Sequence, residues 1–568
     1  MTSNDFMQLG FYLVVLILLA IPLGRYMAKV LQGEKTFMDR VMGPLERFIY
    51  RICGIDAGQE MNWKEYGLAF LVFNLFGLVT LFILQLVQGH LPLNPQGFAG
   101  VNWDLAFNTA VSFTTNTNWQ AYGGESTMSY LTQMVGLTVH NFFSAAVGAA
   151  VLVALIRGLI SRQGKSLGNF WVDTTRFTLW ILLPLSLIFA LVLVSQGVIQ
   201  NLSPYLTVHT LQGADQTLAM GPVASQEAIK MLGTNGGGFM NVNSAHPFEN
   251  PNPFTNLLEM IAILLIPVAQ VFTFGHMVKD KKQGRVIFGA ALVMLILMLG
   301  ICYGSEIAGN PQIAKLGIST SSVMEGKEVR NGVVNSALWA TVTSATSNGS
   351  VNAMHDSFTP IGGMIPMLNI MLGEVIFGGV GVGLKGLLIF VILTVFIVGL
   401  MVGRTPEYLG KKVEGFEMKM AVLAVLLPSA SILLGSSLAS VISWGTSSIA
   451  NPGPHGLSEI LYAFASASQN NGSAFGGLSV NTQFYNVALS IAMLIGRTAI
   501  IFPTLAIAGS MAGKKIAPVT AGTFETTSGL FSGLLVSVIL IVGALTFFPA
   551  LALGPIVEHL SMWAGKAF

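Results

Sequence analysis

Charged residues are scarce in this sequence: only 10% of its 568 residues are Asp, Glu, Lys or Arg, whereas 53% are hydrophobic. A soluble domain carries about a quarter charged residues, so the composition excludes a water-facing surface of ordinary size. Two cysteines, Cys53 and Cys302, are too few for a disulfide framework. The net charge of +2 gives no indication of nucleic acid or of an acidic partner.

Long apolar runs take up most of the chain. A helix that crosses a bilayer needs about 20 apolar residues, and residues 177–214 contain no Asp, Glu, Lys or Arg at all. Residues 131–156 form a second run of this kind. The pattern predicts an all-α membrane protein with many spans.

Basic residues occur in five clusters, and short loops rich in Lys and Arg mark the cytoplasmic side of a membrane. Two helices flank each cluster, which predicts about ten spans with both termini outside. The first apolar stretch has its basic cluster after it rather than before it, so we expect a retained helix rather than a signal peptide. The predicted spans are 8–29, 65–88, 131–157, 174–198, 255–278, 286–308, 361–403 (interrupted), 419–442, 484–511 and 528–551.

Four short polar segments share a pattern of Asn, Gly, Ser and Thr. Their asparagines at the second place, Asn116, Asn235, Asn348 and Asn471, lie 119, 113 and 123 residues apart. Such near-constant spacing indicates a repeat of whole structural units. The segments are Thr115-Asn116-Thr117-Asn118, Thr234-Asn235-Gly236-Gly237, Ser347-Asn348-Gly349-Ser350 and Asn470-Asn471-Gly472-Ser473.

A stretch with the potential to form about two turns of helix precedes each segment, and a long apolar span follows it. The short helices are predicted at 105–113, 226–232, 336–343 and 459–466. The units then cover 65–157, 174–278, 286–403 and 419–511 of one membrane domain, with extra helices at 8–29 and 528–551. A helix, a short re-entrant helix, a polar loop and a second helix form the topology of a potassium-channel pore.

The segments suit the coordination of an alkali cation by backbone carbonyl groups, which replace its hydration shell. Gly236, Gly349 and Gly472 occupy the third place, where glycine easily adopts an unusual backbone conformation. Thr117 stands there in the first segment, so the ring is not four-fold symmetric. No segment contains a carboxylate, which argues against a charged-ring filter. The alternative is that the segments are ordinary outer loops, but four in register with the topology favour the pore.

Longer runs around these segments resemble the potassium-binding subunit of the bacterial Kdp transport ATPase. They are TTNTNWQ from Thr114, GTNGGGFMNVNSAHPFENP from Gly233, SATSNGSVNAMHDSFTPIGG from Ser344, VGRTPEYLGKK from Val402 and SASQNNGSAFGGL from Ser466. The resemblance implies a member of the superfamily of potassium transporters. It places filter positions on Asn116, Asn118, Thr234, Gly236, Asn243, Asn348 and Asn470, and it implies that Gln120, behind the first segment, affects ion affinity.

Charged residues at membrane depth are costly and indicate function. Glu374 falls within the seventh predicted span, Arg497 within the ninth, and Arg404 at the cytoplasmic end of the seventh. The alternatives are a buried ion pair for Glu374 and Arg497 and a snorkelling anchor for Arg404. The resemblance links these positions to ion passage below the filter and to coupling with a partner.

Four glycines interrupt the seventh span: Gly378, Gly379, Gly381 and Gly383. Glycine and the β-branched valines between them are poor helix formers, so we favour a loop that crosses the pore below the filter and diverts the ion sideways. The alternative is a close helix–helix contact through small residues.

The sequence contains no Walker phosphate-binding loop and no DKTGT run of the kind that carries the phosphorylated aspartate of P-type pumps. We therefore expect potassium as the transported ion, no ATP site on this chain, and a non-catalytic role. The resemblance implies a catalytic P-type partner, a single-span accessory subunit, a small helical subunit and a bacterial inner-membrane location. The alternative is a self-sufficient channel or symporter of the Trk/Ktr type.

Overall fold

Ten helices of the computed structural model are long and apolar enough to cross a membrane, within the residues that it describes, which are 3–318, 323–518 and 523–566. Each overlaps one predicted span, so the prediction of an all-α membrane fold is confirmed. The ten helices are Ser3–Leu31, Trp63–His90, Thr132–Ile160, Phe170–Ser195, Pro253–Met277, Lys281–Lys315, Gly383–Met401, Gly415–Val441, Gln483–Ala512 and Gly529–Trp563. The predicted unit 286–403 includes residues 319–322, which lie outside the described part.

The seventh predicted span is two helices rather than one. A helix over Pro360–Met371 ends before the glycine run, and the next helix begins at Gly383. Residues 372–382 between them are not helical. The glycine run therefore lies in a loop, and the span 361–403 is interrupted by a full break. That the loop diverts the ion sideways stays a prediction.

Four shorter helices precede the polar segments, and we call them the first to fourth pore helices. They contain the four predicted short helices and extend each of them: Trp103–Thr114, Val223–Leu232, Gly332–Ala345 and Pro454–Gln469. Their residues are almost all buried, because alanine, serine and threonine allow close packing inside the protein.

Small residues also bring the membrane helices that surround the pore helices close together. A Cβ atom added to Gly158 would overlap the backbone at Ala508, and one added to Gly24 would lie 2.6 Å from the carbonyl oxygen of Ala269. The span Thr132–Ile160 lies at the centre, with Ala145–Ile156 buried throughout. Backbone contact of this kind fixes the membrane helices around the pore.

Glu46 anchors an amphipathic helix, Asp39–Cys53, between the first two membrane helices. Its carboxylate accepts hydrogen bonds from the Nε of Arg176 and the Nε1 of Trp180, each at 2.9 Å. Two small antiparallel strand pairs were not predicted: Leu206–His209 with Asp215–Leu218, and Glu407–Tyr408 with Lys411–Lys412. The remaining short helices are Gly124–Thr127, Ser443–Thr446 and the single turns Asn243–Ala245 and His355–Ser357.

Candidate ion filter and pathway

The four polar segments meet one another around a closed ring. In three segments the glycine at the third place makes the contact, since an added Cβ atom would overlap a carbonyl oxygen of the next segment. These contacts are Gly236 with Asn348, Gly349 with Asn471, and Gly472 with Thr117. A Cβ on Gly237 would lie 2.7 Å from the carbonyl oxygen of Asn118, which joins the second segment to the first.

Each pore helix ends where its segment begins, at Thr114, Leu232, Ala345 and Gln469. The carboxyl-terminal end of a helix carries a partial negative charge from its unpaired carbonyl groups. Four such ends therefore surround the ring, and they favour a cation there without any carboxylate in the segments.

Left-handed backbone recurs at alternate residues of the segments. The pairs are Asn116 and Asn118 (φ 64° and 53°), Thr234 and Gly236 (50° and 83°), and Asn470 and Gly472 (60° and 98°); the third segment has Gly349 alone (81°). Such backbone costs on the order of 1–3 kcal/mol at a non-glycine residue, so the surroundings must impose it. The segments are neither helix nor strand, so their carbonyl groups take no part in the hydrogen bonds of regular secondary structure.

The carbonyl oxygens of the four central asparagines accept no hydrogen bond from any described residue. They belong to Asn116, Asn235, Asn348 and Asn471, all of which are fully buried. A buried carbonyl group without a partner is costly, and native proteins rarely leave one so. A dehydrated alkali cation on the axis of the ring is a partner that carbonyl groups suit well.

The asparagine side chains of the first two segments bind each other. The Nδ2 of Asn235 donates to the Oδ1 of Asn116 at 2.7 Å, and the Nδ2 of Asn116 donates to the carbonyl oxygen of Thr234 at 3.0 Å. Ser144, on the following membrane helix, donates to the same Oδ1 at 2.8 Å. These amide nitrogens therefore brace the segments, whereas the Oδ1 of Asn235 is buried without a hydrogen-bond partner among the described residues.

The third and fourth segments are braced in the same manner. The Nδ2 of Asn348 donates to the carbonyl oxygen of Lys230 at 3.1 Å, in the pore helix of the second unit. The Nδ2 of Asn471 donates to the carbonyl oxygen of Thr346 at 2.9 Å, in the third unit. Each asparagine thus fixes a neighbouring unit, which explains why this residue type recurs at the second place.

Thr117 accounts for the broken symmetry of the ring. Its hydroxyl accepts a hydrogen bond from the Nδ2 of Asn470 at 2.9 Å and lies 2.7 Å from the hydroxyl of Thr115. The first segment therefore presents a side-chain hydroxyl to its neighbour where the other three have glycine.

Gln120 is bonded twice to the backbone of Gly238, just outside the second segment. Its Nε2 donates to the Gly238 carbonyl oxygen at 2.9 Å, and the Gly238 N–H donates to its Oε1 at 3.0 Å. Gln120 therefore sets the distance between the carboxyl-terminal ends of the first and second segments; we call these ends of the segments their outer ends.

A cavity of about 940 Å³ lies at the outer ends of the segments, with Gly236, Gly349 and Gly472 in its lining. Asn243 lies on the wall of this cavity, and the structure does not bring it into the ring of the other predicted filter residues. His246 lies on the same wall, and burial lowers its pKa. The imidazole is therefore neutral at pH 7 and does not repel an entering cation.

Glu374 and Arg497 are both buried but are not paired with each other. Glu374 lies in the non-helical stretch 372–382, and its Oε1 accepts a hydrogen bond from the Nδ2 of Asn471 at 2.7 Å. Arg497 donates to the carbonyl oxygens of Gly381 and Ser144, each at 2.8 Å. The buried ion-pair alternative is wrong for both residues within the described part of the chain, because each contacts neutral groups of the filter or the glycine loop.

The glycine loop, residues 372–382, lies directly against the filter segments. The N–H of Val380 donates to the hydroxyl of Thr234 at 2.8 Å, and a Cβ on Gly379 would overlap the hydroxyl of Ser347. Gly378 and Gly383 touch each other through their backbones, so the loop closes on itself. Larger residues do not fit at these positions, which explains the glycines.

Lys385 was not singled out from the sequence, although it follows the glycine run within an apolar stretch. Its Nζ is buried and donates to the carbonyl oxygens of Gly381 (2.6 Å) and Gly148 (2.8 Å). Lys385 and Arg497 thus hold the same glycine carbonyl. The criterion that selected Glu374, a charge inside an apolar run, selects Lys385 as well.

Arg404 lies apart from this cluster. Its side chain is exposed and donates to the carbonyl oxygen of Thr523 at 3.1 Å. It joins the chain after the span Gly383–Met401 to the stretch before the last membrane helix.

Together these features define a polytopic membrane protein with a single-chain ring of four filter-like segments. The family described as potassium-transporting ATPase A subunit matches residues 10–560. The chain is 57% identical over 99% of its length to a protein of Sorangium cellulosum, of which it covers 100%. It is 59% identical over its whole length to a protein of Rhodospirillum centenum, of which it covers 99%. Both are named potassium-transporting ATPase potassium-binding subunit.

This chain therefore belongs to the potassium-transporting ATPase A subunit family. A protein of Serratia proteamaculans with the same name is 56% identical, with both chains covered completely. Among solved structures, the potassium transporter TrkH from Vibrio parahaemolyticus has a TM-score of 0.49 at 15% identity, over 86% of this chain and 96% of that one. This last similarity is too low to bear on function.

Gly349→Ala tests the closeness of the segments. The added methyl group would overlap the carbonyl oxygen of Asn471 at a left-handed position, so we expect potassium affinity to fall at least tenfold, which corresponds to about 1.4 kcal/mol. The potassium dependence of uptake, in a host without other potassium importers, measures this affinity. Gly533→Ala, in a membrane helix where an added Cβ meets nothing within 4 Å, is the matched control; equal affinities in both variants would contradict the ring.

Gln120→Ala removes both hydrogen bonds to Gly238. Each contributes about 0.5–1.5 kcal/mol, so we expect the KM for potassium to rise by about tenfold while the maximal uptake rate stays near that of the parent. Gln59→Ala, at an exposed position in the loop before the second membrane helix, is the control. A lower maximal rate at unchanged KM would assign Gln120 to a later step instead.

Proposed function

We propose that this chain selects and binds potassium at the outer face of the membrane and passes it to a catalytic P-type ATPase partner. The observation that carries the proposal is the ring of buried backbone carbonyl groups without hydrogen-bond partners among the described residues. The Nδ2 atoms of the four central asparagines are engaged in bracing, so in this proposal the backbone carbonyl groups do most of the coordination.

Potassium is the ion that such a ring suits. Neutral carbonyl dipoles replace the shell of a weakly hydrated alkali cation, whereas calcium or magnesium sites use carboxylates. The proposed filter consists of the four segments, with Thr115 and Ser347 as their first members in two units; Gln120 tunes the affinity and Asn243 acts from the outer cavity.

The glycine loop supports a route that turns aside below the filter. It lies against the second and third segments, and Arg497 and Lys385 hold it there through Gly381. An ion that leaves the ring meets this loop, so direct flow to the cytoplasm is blocked. Glu374, bonded to the fourth segment, joins the loop to the filter.

The energy for transport comes, in this proposal, from another subunit. The relatives are named as subunits of an ATPase, and the sequence has neither a Walker loop nor a P-type phosphorylation motif. We further propose a single-span accessory subunit and a small helical subunit as partners. The basic clusters favour the bacterial inner membrane with both termini outside.

Purification of the native complex tests the pump against a self-sufficient Trk/Ktr-type channel or symporter. We expect an affinity-tagged chain, extracted in mild detergent, to bring down an ATPase whose hydrolysis rises with potassium. Uptake that continues after ATP depletion, with no ATPase in the purified complex, would establish the channel or symporter instead.

Arg497→Gln tests the glycine loop separately from the filter. The variant releases one of the two cationic side chains that hold the Gly381 carbonyl oxygen, so we expect transport coupled to ATP hydrolysis to fall several-fold while the KM for potassium changes less than twofold. Arg404→Gln, whose side chain is exposed, is the comparison. Intact coupled transport in Arg497→Gln would remove it from the pathway.

A further inference from the structure

Asp356 joins the outer ends of the third and fourth filter segments. It lies eight residues after Asn348, and its Oδ2 accepts a hydrogen bond from the N–H of Gly477 at 2.6 Å, five residues after Gly472. This short bond connects two loops that both contribute to the wall of the outer cavity, which includes Phe475.

His455, at the outer start of the fourth pore helix, lies between two carboxylates. Its Nε2 is 2.9 Å from the Oδ1 of Asp356, and its Nδ1 is 2.8 Å from the Oε1 of Glu558. The ring also stacks on Phe475, with centroids 6.0 Å apart and planes at 18°. Neutral imidazole has one donor and one acceptor, so only the doubly protonated ring donates to both carboxylates.

Glu558 belongs to the last helical stretch, Val557–Trp563. Through His455 it reaches Asp356 and hence the backbone that follows the fourth segment. The extra helix at the end of the chain is thus connected to the outer end of the filter by three consecutive polar contacts. The inference that these contacts affect potassium binding rests on the proposed filter.

We propose that Asp356, His455 and Glu558 form a proton-dependent clamp that positions the outer ends of the third and fourth filter segments for potassium binding. The imidazolium of His455 donates to the Oδ1 of Asp356, which fixes this carboxylate while its Oδ2 accepts from the N–H of Gly477. Loss of the proton leaves one carboxylate facing a lone pair, so the clamp loosens and the two loops separate. His455 and Glu558 are positioning residues that touch no ion themselves.

The charges around His455 fix the pH range in which the clamp acts. Burial lowers its pKa, but the hydrogen bonds and negative charges of Asp356 and Glu558 outweigh this effect and raise the pKa to about 10. Among the described residues, Glu459 is the other charged side chain close by, bonded to Asn451 at 2.7 Å. The pKa of His455 is thus raised above the usual value of about 6.5. The clamp is therefore complete at pH 6.5 and is lost as the pH rises through about 10.

Calorimetric titration of the purified complex with potassium, without ATP, tests the clamp between pH 7 and 10.5. We expect the parent's Kd to rise at least fivefold across the alkaline end of this range. In Glu558→Gln one carboxylate is gone, so the midpoint of that rise moves to lower pH by about one unit. In His455→Gln the affinity is already reduced at pH 7 and does not depend on pH.

His209→Gln is the matched control, because His209 also pairs with a carboxylate, Asp215, on the outer side but is exposed on the hairpin. It keeps the parent's profile. His455→Lys, which retains a cation, keeps most of the affinity at pH 7 and so distinguishes lost charge from misfolding. A parent Kd that is constant to pH 10.5, or an unshifted midpoint in Glu558→Gln, would overturn the clamp, whereas no potassium binding at any pH would overturn the proposed function.

Discussion

Four stretches of irregular backbone lie inside this membrane protein, and their amide and carbonyl groups need partners other than lipid. Asparagine side chains supply some of those partners: Asn116 donates to the carbonyl oxygen of Thr234, and Asn348 and Asn471 accept from the N–H groups of Ser350 and Ser473. The central carbonyl groups remain, at the ends of four pore helices. In the proposed function a cation is their partner, and the buried environment strengthens each of those interactions.

Close packing of the four segments also requires glycine at particular positions of the ring. Adjacent segments approach so closely at Gly236, Gly349 and Gly472 that a methyl group has no room. The first segment departs from this rule with Thr117, whose hydroxyl takes part in the bonding. Because one chain supplies all four units, each is free to differ. The differences appear behind the ring, where Gln120 braces one side and Asp356 another.

The fold and most of the candidate site were predictable because they rest on local signals. The length of the apolar runs predicted the ten spans, and the spacing of the asparagines located the pore helices to within a few residues. What joins distant parts of the chain was not predictable: Lys385 with Gly148, and His455 with Glu558, meet across about a hundred residues or more. Glu374 was placed within the interrupted seventh span, with a buried ion pair as the alternative; it lies in the glycine loop and bonds to Asn471 instead.

The central claim is that backbone carbonyl groups of four segments hold one dehydrated cation inside the ring. Thallium replaces potassium in such sites and is identified by its anomalous X-ray scattering. A crystal structure of the complex with thallium should show an anomalous peak on the axis bounded by the carbonyl oxygens of Asn116, Asn235, Asn348 and Asn471. A peak only at Glu374 or in the outer cavity, with the ring unoccupied, would contradict this account.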